Sequence, residues 1–577
     1  MSAERARRDR KAASVGASVN ALAVAFLVVL AAARAAFAQG TVISDAEIEK
    51  LLADRIDVQR QSVGIVVGVI EPSGRRVVAY GRLARGDPRP LNGDTLFEIG
   101  SITKVFTSLL LADAAERHEV ALTDPVSKFL PPTVWVPERG GRVITLQDLA
   151  THTSGLPRMP GNIRPADPAN PFADYSVAQL YQFLSSYQLP RDIGSQYEYS
   201  NIGGGLLGHV LALRANTDYA SLVRERITVP LGMASTAIAL SPELKARLAV
   251  GHSATLEPVA NWDLPTLAGA GALRSTTNDL LTFLAANLGY TNTPLAPAMR
   301  LMLSVRRPAT TGDAQIALGW HVLTLPGREI VWHNGATGGY RAYIGFDRAA
   351  RTGVVVLSNA TTAEGPDDIG RHLLDPDLPL LALTAPVRHT EVAVDPKLYD
   401  RYVGRYQLAP AVTITISRRG DRLFVQLTDQ PPFELFAEAE KRFFLKVVDA
   451  QFSFETDDQG KAIAVVLHQV GVDQRARRIA GEPVVPTEIM IDPAVLDRYV
   501  GRYQLSPAAT LTLSRDGERF FAQLTGQPHV EVFASGEKEF FFKMVDAQLT
   551  MEVDPQGRAS AVTIHQFGRH LRAPRIE

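Results

Sequence analysis

The 577-residue chain contains no cysteine. This absence excludes disulfide bridges, thiolate metal sites and a cysteine nucleophile. An excess of either charge is also lacking, because 60 Lys and Arg residues against 61 Asp and Glu residues give a formal net charge of −1. Such a balance argues against nucleic acid or an anionic membrane surface as the main partner. The length predicts roughly two to four globular domains.

Two catalytic signatures are missing as well. The chain has no His-Glu-x-x-His sequence, so a zinc hydrolase has no support. The segment GHSAT (251–255) resembles the nucleophile elbow of α/β-hydrolases, but Thr255 occupies the position where that elbow requires glycine. No strand–turn–helix pattern surrounds it. An α/β-hydrolase is therefore the weaker enzymatic alternative, and we expect His252 to be a polar loop residue.

A hydrophobic run of the length of a membrane span, roughly 20 residues, is not found at the N-terminus. The run ALAVAFLVVLAAA (21–33) is shorter; it follows the basic segment MSAERARRDRK and precedes Ala-Phe-Ala. This pattern predicts a secretory signal peptide over 1–38, with an uncleaved anchor as the alternative. We therefore expect a periplasmic or secreted protein with no stable membrane span after cleavage, exported by the Sec or the twin-arginine route.

The C-terminal third of the chain is a duplication. VDPKLYDRYVGRYQLAP, which begins at Val394, returns as IDPAVLDRYVGRYQLSP, which begins at Ile491. A gapless repeat of this length indicates two copies of one domain rather than solenoid units. Alternating runs such as VTITISRR and RLFVQLT predict antiparallel strands separated by turns. We expect two tandem all-β antiparallel barrels, at 390–486 and 487–577.

The segment 39–385 belongs to a different fold class. A hairpin is predicted at its start by SVGIVVGVIEPSGRRVVAYGRL, and strand-like runs at its end are EIVWHNG, YRAYIGFD and GVVVLSN. Helical patterns cover 101–117, 176–186, 203–215 and 277–288. Strands at both ends with helices between them predict an α+β domain, in which helices flank one antiparallel sheet built from both ends of the segment.

A candidate nucleophile lies in EIGSITKVF (98–106), where Ser101 precedes Lys104 by three positions at the start of an apolar helix. There, backbone N–H groups and the helix dipole favour developing negative charge. Lys104 lies on the same helical face, and its amine is a competent base only if burial or nearby positive charge lowers its pKa. A second Ser-x-x-Lys match, Ser535 to Lys538, is confined to one of the two barrels and is interpreted as accidental.

Two further motifs supply partners for this pair. Tyr199 and Asn201 form a Tyr-x-Asn sequence on a turn before a Gly-rich helix, whereas a second Tyr-x-Asn, at Tyr290, lies in a loop rich in Pro and Asn. A phenol near the serine could relay protons, and an amide could hold the substrate. His333 and Gly335 form the chain's single His-x-Gly sequence on a predicted strand edge, where glycine lets a substrate backbone approach.

Taken in chain order, Ser-x-x-Lys, Tyr-x-Asn and His-x-Gly resemble the motifs of the β-lactamase and penicillin-binding serine hydrolases. Further segments resemble the branch of class C β-lactamases, D-amino-acid-directed peptidases and esterases: ITLQDLATHTSGLP (144–157), VPLGM (229–233), GAGALRSTTNDLLTFL (269–284) and ALGWHV (317–322). The resemblance covers roughly 45–375 and implies a β-lactamase/transpeptidase-like fold with an all-helical subdomain. The two C-terminal copies resemble the lipocalin-like barrels appended to some serine hydrolases.

The resemblance implies a role for each motif residue. Ser101 would be acylated, Lys104 and Tyr199 would share proton transfer, and Asn201 would orient the substrate. No metal or other cofactor is implied. His152, within THTSG, is expected to be a structural hydrogen-bonding residue rather than a ligand.

The strand edge would complete the site. The backbone N–H groups of Ser101 and of Ala336, which follows Gly335, would form an oxyanion hole. His333 stands where the family usually has lysine, and an imidazole is largely neutral at pH 7. We therefore expect recognition of a substrate carboxylate to be weakened or to pass to Arg341, which favours peptides, D-amino-acid amides or esters. A His333 that serves only for packing is the alternative.

The implied activity is that of an exported serine hydrolase that cleaves an amide, peptide or ester bond through an acyl-enzyme at Ser101. A peptidase acting on D-amino-acid-containing or peptidoglycan-type peptides is the main expectation. A class C-like β-lactamase and a short-chain carboxylesterase are the enzymatic alternatives. A penicillin-binding sensor without turnover is the alternative that is not an enzyme. The expected partner is a small-molecule or peptide substrate, and the oligomeric state stays open.

Overall fold

The computed structural model describes residues 43–576, apart from 310–313, 363, 384, 386–388, 411, 429, 431, 447, 449, 470–471, 481–486, 507–508, 526–528, 543–546 and 567–568. The predicted signal peptide at 1–38 therefore lies outside the described residues. Within these residues, no helix combines the length and the apolar character that crossing a membrane requires.

The first domain is built on one antiparallel sheet. The strands of this domain are β1 (Gly64–Glu71), β2 (Gly74–Gly81), β3 (Leu96–Glu98), β4 (Glu138–Arg139), β5 (Arg142–Val143), β6 (Arg274–Thr276), β7 (Arg307–Pro308), β8 (Ala314–Ile316), β9 (His321–Leu325), β10 (Arg328–Ala336), β11 (Arg341–Asp347) and β12 (Thr352–Ser358). Strands β3 and β6 form one separate two-stranded sheet, and β4 and β5 form another. The main sheet has the order β2-β1-β12-β11-β10-β9-β8-β7, so the first strands pair with the last, as predicted. Continuous Val and Ile runs in β1 and β12 suit strands that are covered on both faces.

Helices cover both faces of this sheet and form a separate subdomain. They are α1 (Asp45–Ala53), α2 (Thr103–Glu116), α3 (Leu146–Ala150), α4 (Val177–Ser186), α5 (Asn201–Ala215), α6 (Tyr219–Val223), α7 (Val229–Leu231), α8 (Pro242–Ala246), α9 (Ala268–Gly271), α10 (Thr277–Asn287), α11 (Ala296–Ser304) and α12 (Asp367–Leu374). Helices α1 and α12 share a core with one sheet face, and α2 and α10 with the other. The α+β prediction is confirmed.

Helix α2 is buried around most of its circumference, since every residue from Thr103 to Ala114 is inaccessible. A helix that is buried on all sides lies inside a domain rather than on its surface. It packs between the sheet and helices α5 and α9 of the helical subdomain. Its N-terminus, where Ser101 and Lys104 lie, is thereby held between the two parts of the domain.

The C-terminal region contains two eight-stranded barrels. The first comprises β13 (Gly404–Ala409), β14 (Val412–Arg419), β15 (Arg422–Leu427), β16 (Phe433–Ala439), β17 (Arg442–Phe444), β18 (Gln451–Thr456), β19 (Ala462–Gln469) and β20 (Val472–Ile479). The second comprises a short helix, α13 (Pro493–Leu496), and β21 (Gly501–Ser506), β22 (Ala509–Asp516), β23 (Arg519–Leu524), β24 (Val530–Ala534), β25 (Glu539–Phe541), β26 (Ala547–Val553), β27 (Ala559–Gln566) and β28 (Arg569–Pro574). The first barrel is closed, and the second has the same strand order.

The duplicated sequence makes the same contacts in both barrels. The Tyr406 hydroxyl donates a hydrogen bond of 2.6 Å to the carbonyl of Tyr402, and the Tyr503 hydroxyl donates one of 2.6 Å to the carbonyl of Tyr499. All four tyrosines are buried. They are core residues, which agrees with the period-two pattern from which the strands were predicted.

Candidate active site

The candidate nucleophile and base meet at the start of helix α2. Ser101 lies in a 3₁₀ turn, Gly100–Ile102, that leads directly into the helix. The Nζ atom of Lys104 is 3.0 Å from the Oγ atom of Ser101. The i, i+3 spacing alone predicted this proximity.

The Lys104 amine is enclosed by protein. Its side chain is 2% exposed, and Nζ also lies 2.8 Å from Oδ1 of Asn201 and 2.7 Å from the carbonyl oxygen of Ala270. Burial lowers the pKa of this amine well below its ordinary value, and the nearby positive charge of Arg158 lowers that pKa further. The side chain therefore meets the requirement for an amine that acts as a base near neutral pH.

Glycines in helix α5 make room for the lysine. A Cβ atom on Gly204 would lie 3.0 Å from Cε of Lys104, and one on Gly208 would lie 2.8 Å from the Cα atom of Gly269 in α9. The Gly-rich segment that follows Asn201 thus lets α5 approach both the lysine stem and α9. This close approach brings the Asn201 side chain to the amine.

Tyr199 completes the group around Ser101, because its phenol lies near enough to that serine for the serine to influence the phenol's pKa. Burial raises the pKa of the Tyr199 phenol to about 12, and the neighbouring Ser101 opposes part of this rise. The phenol therefore carries its proton at neutral pH. The Lys104 Nζ atom lies 4.8 Å from the centroid of the tyrosine ring.

The residue after this tyrosine, Ser200, fixes the local backbone. It caps helix α5 by accepting a hydrogen bond from Gly203, and its own N–H donates to Nδ1 of His152 over 3.2 Å. The His152 ring is buried, and its centroid lies 4.6 Å from that of Tyr199. His152 thus positions the segment that carries Tyr199, a structural hydrogen-bonding role.

Strand β10 passes close to the nucleophile. A Cβ atom on Gly335 would lie 1.9 Å from the carbonyl oxygen of Ile99 and 3.2 Å from the backbone nitrogen of Ser101. In the other direction, a Cβ atom on Gly100 would lie 2.6 Å from the backbone nitrogen of Ala336. The N–H groups of Ser101 and Ala336 therefore belong to two backbone segments in close contact, and Ala336 itself is exposed. Two backbone N–H groups on adjacent segments are the kind of donors from which an oxyanion hole is built.

His333 lies on the same strand and faces the side of the sheet that is covered by helix α2. It is 0% exposed, and its Nδ1 donates a hydrogen bond of 2.6 Å to the carbonyl of Asn334. Burial lowers the pKa of His333 well below its ordinary value, and the neighbouring His321 and Lys104 lower it further. The imidazole is therefore neutral and carries no cation to the substrate.

Arg341 lies on the opposite face of the sheet. Its partner in strand β10 is Ala336. Side chains two positions apart on a strand share a face, so Arg341 lies on the same face as Tyr343, which packs in the core beneath α1 and α12. The guanidinium Nε donates to the carbonyl of Thr362 over 2.9 Å. Because side chains alternate between faces along a strand, Arg341 and His333 point in opposite directions. Arg341 is therefore next to Ala336 in the sheet, but its side chain does not share a face with His333.

Several residues at this site were not singled out from the sequence. Arg158 lies with its guanidinium 5.1 Å from the centroid of the Tyr199 ring, and its carbonyl accepts a hydrogen bond from the N–H of Asn201. The carbonyl of Ala270 contacts Lys104, and the ring of His321 lies 5.1 Å from that of His333. A backbone carbonyl leaves no mark in a motif. Arg158, however, directly follows ITLQDLATHTSGLP (144–157), one of the segments that resemble the family, and this position is the feature of the sequence that could have indicated it.

The accidental matches take no part in the site. Ser535 lies in a turn of the second barrel, where its N–H bonds the carbonyl of Glu539. His252 was expected to be a polar loop residue, but it is 0% exposed, with Nδ1 donating over 2.9 Å to the carbonyl of Asn359. The Tyr290 hydroxyl donates to the carbonyl of Arg351 over 2.7 Å. Each has a local structural partner instead.

Two family models match this chain, over ranges that do not overlap. The family described as Beta-lactamase matches residues 45–375. The family described as Domain of unknown function (DUF3471) matches twice, at 388–483 and 486–574. The two copies correspond to the two barrels.

Among curated proteins, the chain is 32% identical over 323 residues to D-alanyl-D-alanine-carboxypeptidase/endopeptidase AmpH of Escherichia coli strain K12, covering 53% of this chain and 81% of the relative. It is 26% identical over 424 residues to Penicillin-binding protein 4* of Bacillus subtilis strain 168, covering 69% of this chain and 91% of the relative. Among solved structures, a class C β-lactamase from Rhodobacter sphaeroides is 27% identical, with a TM-score of 0.49 over 58% of this chain and 97% of that one.

Proposed function

Because the chain belongs to the β-lactamase family of serine hydrolases, we propose that it is an exported peptidase that cleaves peptides containing D-amino acids through an acyl-enzyme at Ser101. The observation that carries this proposal is the contact of Ser101 with both a buried amine, Lys104, and a buried phenol, Tyr199. The relatives named as a D-alanyl-D-alanine carboxypeptidase/endopeptidase and as a penicillin-binding protein support this substrate class.

The surroundings of Lys104 support its role as the base for acylation. A neutral amine has two N–H groups and one lone pair. In this neutral form the two N–H groups donate to Oδ1 of Asn201 and to the carbonyl of Ala270, which leaves the lone pair for the Ser101 hydroxyl, 3.0 Å away. Lys104 accepts the serine proton as Oγ attacks the substrate carbonyl carbon. The developing oxyanion is held by the N–H groups of Ser101 and Ala336.

Tyr199 is the candidate donor to the leaving nitrogen. Its phenol is protonated, and it lies in contact with Ser101, beside the bond that breaks. Tyr199 gives its proton to the amine that departs, and the proton taken up by Lys104 restores the phenol. In the second half of the reaction, water loses a proton to the same pair and attacks the acyl carbon. The bond from that carbon to Oγ breaks, the pair returns the proton to Oγ of Ser101, and the product acid is released. The net reaction is the hydrolysis of one amide bond.

A panel of substrates tests the proposal. It comprises a peptide ending in D-Ala-D-Ala, a D-amino-acid p-nitroanilide, nitrocefin and a short-chain p-nitrophenyl ester. We expect the highest kcat/KM with the D-peptide and a loss of all turnover in Ser101→Ala, whereas Ser535→Ala, the accidental match, keeps full activity. Faster turnover of nitrocefin or of the ester would instead identify a β-lactamase or an esterase. Acylation of Ser101 without turnover of any substrate would identify a penicillin-binding sensor.

Export is a separate part of the proposal and rests on the N-terminal sequence. Expression of the full chain in a bacterium, followed by cell fractionation and N-terminal sequencing, tests it. We expect a periplasmic product that begins at Gln39. A cytoplasmic product that keeps Met1 would contradict the predicted signal peptide.

A further inference from the structure

Three basic side chains of the predicted site, those of His333, Arg341 and Lys104, are not available to bind a substrate carboxylate at the strand edge. His333 is buried and neutral, and Arg341 points to the other face of the sheet. The Lys104 amine is already in contact with three oxygen atoms, including that of Ser101. None of these three side chains offers a free positive charge to the substrate.

Arg158 does offer one. It is exposed, and no hydrogen bond or ion pair of its guanidinium is found among the residues that the structure describes. The guanidinium nevertheless has a defined position, since it lies 5.1 Å from the centroid of the Tyr199 ring. Its backbone is fixed as well, because its carbonyl accepts the N–H of Asn201 over 2.9 Å. An arginine held beside the catalytic group without an acidic partner can bind an anion of the substrate.

The neighbouring Tyr199 indicates which part of the substrate lies there. If Tyr199 protonates the leaving nitrogen, the leaving residue lies against its hydroxyl, and the Arg158 guanidinium lies 5.1 Å from the centroid of the same tyrosine ring. In a C-terminal residue, the carboxylate is only two bonds from that nitrogen. We propose that Arg158 binds the terminal carboxylate of the leaving residue and so selects peptides that are cut at their C-terminal end. This inference rests on the proposed peptidase function.

The test compares two substrates that differ only in this charge: diacetyl-L-Lys-D-Ala-D-Ala and its C-terminal amide. The wild-type protein is expected to prefer the acid. Arg158→Ala is expected to lower the ratio of kcat/KM for the acid to kcat/KM for the amide by about 10- to 100-fold, the range for a charge-assisted pair. Loss of the positive charge that lowers the pKa of Lys104 affects both substrates alike and leaves this ratio unchanged. Arg158→Lys keeps the positive charge but loses the paired N–H donors of the guanidinium, and it should retain part of the preference for the acid.

Two matched variants serve as controls. Arg164 lies in the same loop and is also exposed, but its guanidinium donates to the carbonyls of Gly161 and Ile163. Arg164→Ala should therefore leave the preference for the acid unchanged. Equal losses with both substrates in Arg158→Ala would overturn the proposal, and so would a preference that disappears in Arg341→Ala but survives in Arg158→Ala.

A second measurement separates this inference from the peptidase proposal. The rate at which benzylpenicillin or its methyl ester acylates Ser101 can be followed by intact mass, without any peptide turnover. If the peptides are not cleaved, the peptidase proposal fails, but faster acylation by the free acid that is lost in Arg158→Ala would still support Arg158 as the carboxylate-binding residue. The same preference in wild type and Arg158→Ala would rule it out.

Discussion

Gly335 and Ile99 are in such close contact that a single methyl group would not fit between them: a Cβ atom on Gly335 would lie 1.9 Å from the Ile99 carbonyl oxygen. This contact holds strand β10 against the turn that carries Ser101. The backbone amide of Ala336, one residue further along the strand, is placed by it. The proposed oxyanion hole therefore depends on a residue without a side chain.

Gly335→Ala is expected to push strand β10 away from Ser101 and to lower kcat by at least 10²-fold, the usual cost of losing one oxyanion donor. Gly161→Ala is the control, because a Cβ atom there meets nothing within 4 Å. Steady-state kinetics of both variants on the same substrate provide the measurement. Comparable activity in Gly335→Ala and wild type would contradict the assigned hole.

The rate of acylation is expected to rise with pH as Lys104 loses its proton. Because burial and Arg158 lower the pKa of Lys104, this rise should come well below the ordinary range of a lysine. Tyr199, with a pKa of about 12, should not titrate in the same range. The rate of Ser101 acylation by benzylpenicillin, measured from pH 5 to 10, tests both points; a rate that rises only in the ordinary range of a lysine would contradict the lowered pKa of Lys104.

Two variants separate the roles of the two groups. Tyr199→Phe should lower the rate by about 10²- to 10⁴-fold, as for loss of a general acid, while the pH at which the rate rises stays the same or nearly so. Lys104→Arg should be inactive at every pH tested, because a guanidinium cannot release its proton. Activity in Lys104→Arg would show that another group takes the serine proton.

Acid is expected to destabilise the first domain through its buried histidines. Burial lowers the pKa of His152 and of His333 well below the ordinary value, and that of His321 to about 4. Below pH 6.5 the unfolded chain binds protons on these histidines that the folded chain does not, so the free energy of unfolding falls as the pH falls. Above pH 6.5 their contribution no longer changes.

Thermal unfolding of wild type and His333→Asn between pH 7.5 and 4.5 measures this effect. The variant should lose less stability over that interval, because one buried histidine no longer resists protonation. Its absolute Tm at pH 7.5 is expected to be lower than that of wild type, since a fully buried side chain has been changed. An unchanged slope in His333→Asn would contradict the pKa direction assigned to this residue.

The two barrels are expected to respond equally to the same substitution. Tyr406→Phe and Tyr503→Phe each remove a buried hydrogen bond to a backbone carbonyl, at a cost of about 1 to 3 kcal/mol in the free energy of unfolding. Calorimetry of the full chain should show a similar decrease in the barrel transition for both. A large effect in one barrel alone would show that the duplicated contact has diverged in importance.

The sequence by itself determined the fold class and the relation between Ser101 and Lys104. Repeated Val and Ile runs, alternating patterns and the duplicated segments are local properties of the chain, and so is the i, i+3 spacing within one helix. The β-lactamase resemblance, carried by motifs in a fixed order, is confirmed by the family match over 45–375.

Tertiary structure alone decided which side chains share the cleft. Strand register sends His333 and Arg341 to opposite faces of the sheet, although the sequence predicts a substrate-binding role for both. Packing of helices α5 and α9 brings the Ala270 carbonyl to Lys104, and a loop hydrogen bond places Arg158 beside Tyr199. These contacts join residues far apart in sequence, and their energies depend on burial, which a linear pattern does not specify.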